Sequence, residues 1–66
     1  MNFQPNKIYK INPEFEKSND TFVLSRFNTR NQNGLYFHRF VDGETEATEL
    51  SFFTDAELDD KTLIEA

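Results

Sequence analysis

Four closely spaced carboxylates and a lone imidazole are the side chains from which chemistry would first be expected in this sequence. Asp55, Glu57, Asp59 and Asp60 supply oxygen ligands of the kind that hold calcium, but no turn glycine lies among them and their spacing completes no ligand loop. His38 is the single histidine and there is no cysteine, so a Cys/His zinc site has no ligand set. Ser18, Ser25 and Ser51 stand outside any nucleophile-elbow context, which leaves His38 without a triad partner. Gly34 and Gly43 both sit in turn-forming surroundings and cannot build a phosphate-cradling loop. The expectation is a chain with no catalytic residue, no cofactor and no metal site.

Binding chemistry is better represented. Phe27, Tyr36 and Phe40 interleave with Arg26, Arg30, His38 and Arg39, a mixture of rings and cations that single-stranded nucleic-acid binders use for bases and phosphates. Against that reading stand a pI of about 4.6 and acids immediately following in the same hairpin. Charge divides unevenly along the chain: residues 1–41 carry six basic and three acidic side chains, residues 42–66 one basic and nine acidic. Asp42, Glu44, Glu46, Glu49, Asp55, Glu57, Asp59 and Asp60 therefore suggest a carboxylate field that would steer the chain toward a basic surface. The competing structural reading is that acids confer solubility and that those at 55–60 favour a helix's first turn.

The chain has 66 residues, a net charge of −5 and 36% apolar residues, with eight Phe and two Tyr. That size gives a single small domain with too little buried volume for a core and a deep substrate pocket together. Without disulfides, stability must come from packing, and the phenylalanines are the main source: each well-buried large apolar side chain contributes about 1.5 to 3 kcal/mol. The first residues show neither a basic start nor an apolar run, and no stretch approaches the roughly 18 apolar residues of a membrane span, so a soluble, cytoplasmic location and no membrane partner are expected.

Apolar patterning reads mainly as strands. Lys7 to Ile11 is a first strand, closed by Asn12-Pro13; residues 14–20 are a polar loop anchored by Phe15. Thr21 to Phe27 and Leu35 to Val41 are the second and third strands, separated by a turn-rich segment from Asn28 to Gly34. Asp42-Gly43 suits a type I′ turn leading into a fourth strand over roughly 44–53. Thr54-Asp55-Ala56-Glu57 fits a capping box, after which one or two helical turns and a last strand at 62–65, or a longer helix, are both open. This order of elements is similar to that of SH3-like small barrels, the expected all-β, mainly antiparallel fold. No SH3 peptide-binding signature accompanies it, since there is no Trp and no acidic cluster beside an Ala-Leu-Tyr strand, so proline-rich ligands are not implied. The rival architecture is an open four-stranded sheet with a C-terminal helix across one face.

A two-residue turn at Asp42-Gly43 predicts Arg39 opposite Glu46, Phe37 opposite Thr48 and Leu35 opposite Leu50. One face then carries Phe22, Leu24, Arg26, Leu35, Phe37, Arg39 and Val41; the other carries Val23, Ser25, Phe27, Tyr36, His38, Phe40, Ala47, Glu49, Ser51 and Phe53. Both faces are apolar enough to be covered, which is unusual for a single antiparallel layer. Strong barrel curvature would account for it within the chain, and a patch around Phe27, Tyr36, His38 and Phe40 meeting a partner or a second copy would account for it between chains. The functional expectation is a protein-binding module, regulatory or inhibitory, using Phe27, Tyr36, His38, Phe40, Asp55, Glu57, Asp59 and Asp60. In size, acidity and lack of cysteine it resembles phage accessory proteins. The alternative is a nucleic-acid-binding barrel using Arg26, Arg30, Tyr36, His38 and Arg39.

Overall fold

Alternating side chains and turn residues divide the chain into five short strands and one helical turn in a computed structural model that describes residues 3–29, 31–47 and 49–66. The strands are β1 (Tyr9–Ile11), β2 (Thr21–Leu24), β3 (Gly34–Phe40), β4 (Glu49–Thr54) and β5 (Leu63–Glu65), with α1 (Asp55–Asp59) between the last two. All pairings are antiparallel and the order across the sheet is β4-β3-β2-β1-β5. The fold is thus all-β with one short helix. β4 and β5 are the two edges of an open sheet.

One face of the sheet holds the core. Tyr9, Phe22, Phe37, Leu58 and Leu63 are buried together, with Phe3, Ile11, Leu24, Leu35 and Phe53 packed around them. Rings meet edge to face, Phe53 against both Phe22 and Phe37, and Phe3 against Tyr9 and Phe37, the arrangement their quadrupoles favour. Leu58 is the apolar side chain that α1 contributes to this layer.

The helical turn starts as its sequence requires. The Thr54 hydroxyl accepts the Glu57 N–H at 3.2 Å while the Glu57 carboxylate accepts the Thr54 N–H at 2.9 Å, a complete capping box. It ends in a Schellman motif, with the Thr62 N–H on the Glu57 carbonyl and the Lys61 N–H on the Leu58 carbonyl, both 3.1 Å. Lys61 occupies the left-handed position there, φ 61°, where glycine is usual. Asn12 binds this reversal from outside through the Lys61 and Thr62 carbonyls. β5 follows and pairs with β1.

The β3–β4 hairpin corrects the expected register. The type I′ turn does form: Asp42 and Gly43 have φ of 55° and 72°, and the Glu44 N–H reaches the Val41 carbonyl at 3.1 Å. Pairing does not resume at once, however, and Arg39 lies opposite Glu49, Phe37 opposite Ser51 and Leu35 opposite Phe53. Relative to a tight hairpin this is a slip of three residues, and an odd slip exchanges the faces of β4. Phe53, Ser51 and Glu49 therefore join the core side, while Leu50 and Phe52 turn outward. Two contacts account for the choice: Phe53 gains both Phe22 and Phe37 as ring partners, and Arg39 is held between Asp20 and Glu49 instead of meeting Glu46.

Candidate functional site

The outer face of the sheet follows from the same registers. Val23, His38 and Leu50 lie side by side on β2, β3 and β4, with Tyr36 opposite Phe52 on one flank and Thr21 opposite Phe40 on the other. Continuing the β1–β2 register places Ile8 beside Val23, and on its other side the Ala66 N–H on the Ile8 carbonyl extends the β1–β5 ladder. Polar residues would be expected on the uncovered side of such a layer. Instead, Ile8, Leu50 and Phe52 are 55%, 44% and 41% exposed, and Phe27, just beyond β2, is 68% exposed. Phe15, in the loop before β2, is the other large apolar side chain exposed among the described residues.

Phe27 also helps line an open depression of about 640 Å³ with Pro5, Val23, Leu24, Arg26 and His38. Aromatic, aliphatic and cationic groups meet there at the end of β2. Just after Phe27 in the chain, Asn28 ties the loop to β3: its amide group donates to the Ser25 and Tyr36 carbonyls and accepts the Tyr36 N–H at 2.6 Å. The turn-forming composition of residues 28–34 signals a loop, but not that one asparagine ties it to β3. The ring of Phe52 crosses Gly34, where a Cβ would collide with the Phe53 carbonyl oxygen. Gly34 thus permits the close approach that seats Phe52 against Tyr36, 4.8 Å between centroids.

Phe27, Tyr36, His38 and Phe40 are accordingly brought to one side of the sheet. Leu50 and Phe52 belong with them and were not anticipated, because the tight-hairpin register assigns Leu50 to the core side; only the capacity of Phe53 to pack on Phe22 and Phe37 could have signalled the exchange. Asp55, Glu57, Asp59 and Asp60 do not join this surface. They lie on α1 and its C-terminal cap, on the core side of the sheet, and the Glu57 carboxylate is committed to the capping box.

The acidic side chains form no single field. Asp42, Glu44, Glu46 and Glu49 cluster around one end of the β3–β4 hairpin, and the acids of 55–60 lie at the other, about 20 Å away along the strand. Asp20 is buried and spent internally: it accepts the Asp42 N–H at 2.9 Å and Arg39 Nε at 2.8 Å. The Asp42 N–H, then the Arg39 guanidinium, hold the Asp20 carboxyl below the usual aspartate value, against the opposing effect of its burial. Arg39 is raised in turn by Asp20 and then Glu49.

Of the residues considered for nucleic acid, Arg39 therefore points away from Tyr36 and His38 and has its guanidinium on two carboxylates. Arg30 lies outside the described residues. Arg26 remains beside Phe27 and His38. Comparison of the chain with protein-family models, with curated proteins and with solved structures finds no match. The surface itself must carry the functional reading. Among the described residues no group of three or more His, Asp or Glu side chains is placed to hold a metal ion, and no helix is long and apolar enough to cross a membrane.

Proposed function

We propose that this chain is a non-catalytic protein-binding module of the SH3-like small-barrel type, acting in regulation or inhibition through the outer face of its sheet. The strand order β5-β1-β2-β3-β4, with a helical turn between β4 and β5, is the support for the barrel assignment. The observation that carries the function is the gathering of Ile8, Phe27, Leu50 and Phe52 on or beside the Val23-Tyr36-His38-Phe40 face. Aromatic side chains of this kind, partly exposed and held by rigid strands, are the usual anchors of protein interfaces. The carboxylates at both ends of β4 make a basic partner surface the better fit.

A tagged pull-down from nuclease-treated and untreated lysate, run with the wild-type chain and with a Tyr36→Ala/Phe52→Ala variant, tests this reading. A protein retained after nuclease by the wild type and lost by the variant supports it. Equal retention by both chains contradicts it, and loss of all retained material on nuclease treatment transfers the function to Arg26, His38 and Phe27 as a nucleic-acid surface.

A further inference from the structure

The outward edge of β4 is open in a way that the rest of the sheet is not. In an antiparallel pair, alternate residues direct both backbone groups at the neighbouring strand. The Asp55 N–H donates to the Asn33 carbonyl at 2.8 Å, just beyond the last β3–β4 pair, so the bonded positions on β4 are Phe53, Ser51 and Glu49. The Ser25 N–H on the Tyr36 carbonyl agrees, since it shows the even-numbered residues of β3 facing β2. Thr54, Phe52 and Leu50 therefore point their N–H and C=O groups away from β3. The Thr54 N–H is taken by Glu57. Leu50 and Phe52 are left with outward backbone groups, and their side chains are the exposed apolar ones of this strand.

Natural edges are commonly guarded by Lys, Pro, a bulge or short length. β5 has only three residues and ends in Glu65. β4 has six, Glu-Leu-Ser-Phe-Phe-Thr, with a single charge at its start and no Pro or Lys. A strand added beside it would gain the hydrogen bonds of Leu50 and Phe52 and lay its own alternate side chains on the shelf formed by Leu50, Phe52, Tyr36 and His38.

Charge chooses the occupant. Antiparallel pairing with a second copy would set the Glu44–Glu46 loop of one chain beside the Asp55–Asp60 turn of the other, at both ends of the contact and between molecules of net charge −5. The same carboxylates flank an incoming strand on both sides. We propose that β4 takes an extended peptide segment with apolar side chains at alternate positions and Lys or Arg on both flanks, added as a sixth strand. This rests on the reading of the chain as a protein-binding module and specifies its partner.

The test is a titration of the isotope-labelled chain, followed by amide NMR, with acetyl-Lys-Lys-Val-Thr-Val-Thr-Val-Lys-Lys-amide. Saturable shifts centred on Leu50 and Phe52 are expected, with affinity at least about tenfold weaker for the Glu-flanked counterpart and falling as salt is added. Phe52→Pro, which removes one outward N–H, should abolish binding; because proline also disturbs the strand, the same peptide N-methylated at alternate residues is the control that leaves the protein unchanged. Equal affinity for Lys- and Glu-flanked peptides, indifference to N-methylation, or no shift at millimolar peptide would overturn the proposal. So would self-association to twice 7.8 kDa that Phe52→Pro abolishes, since β4 would then serve a second copy. If the peptide fails while nuclease-resistant capture still depends on Tyr36 and Phe52, the edge is wrong and the binding-module reading stands; if both fail, both are wrong.

Discussion

Phe53 and Phe52 are neighbours of the same type on one strand, yet one closes the core against Phe22 and Phe37 while the other lies 41% exposed on the opposite face. The core face is locked by edge-to-face rings, Leu58 and Leu63. The outer face has the same kinds of side chain and only partial contacts, chiefly Phe52 on Tyr36. Composition alone does not separate core aromatics from exposed ones here. Strand register does, and a three-residue slip would exchange them.

The contrast is broken most severely at the centre of the core. Phe37 is fully buried, and Phe37→Ala should cost about 3 to 5 kcal/mol, enough to unfold much of a chain this small, whereas Phe52→Ala should cost about 1 kcal/mol or less; urea unfolding of both variants measures the difference. Parity between the two would remove the distinction of faces. Next comes Gly34→Ala, which drives a methyl group into the Phe53 carbonyl and should destabilise by about 1 to 3 kcal/mol in the same assay.

The tie between β2 and the turn at Asp42 is sharpened by pH. A carboxyl held below its unfolded value contributes stability that is present above that value and is lost as pH falls through the lower folded one. Thermal stability should therefore drop as the pH is taken below the usual aspartate value of 3.8, through the Asp20 titration. Asp20→Asn should lower stability at neutral pH by roughly 1 kcal/mol, since Arg39 keeps partial solvent access, and should flatten the acid limb of the Tm profile. A smaller effect of opposite sign is expected at the end of α1, where Lys61→Gly relieves the left-handed backbone and should raise stability by up to about 1 kcal/mol.

Local signals were legible in the sequence to the extent that their chemistry is local. Although the sequence leaves residues 62–65 open between helix and strand, the capping box, the type I′ turn at Asp42-Gly43 and the face shared by Phe22, Leu24, Leu35 and Phe37 all depend on residues close in sequence or on simple alternation. The start of β4 does not: residues 44–47 intervene because Arg39 finds Asp20 and Glu49, and Phe53 finds Phe22, contacts that span the sheet. Phe27, Tyr36, His38 and Phe40 could be grouped from alternation over residues 21–27 and along β3, while Leu50 and Phe52 required the true register. The acidic residues, consecutive in the second half of the chain, are divided by the hairpin between its two ends, a separation invisible to a charge count.

Amide hydrogen exchange along β4 tests the central claim most directly, because it reads register, outward face and open edge together. Protection should alternate, with Ser51 and Phe53 slow and Leu50 and Phe52 fast. Slow exchange at Leu50 and Phe52 with Ser51 and Phe53 open, or uniform protection across the strand, would contradict it.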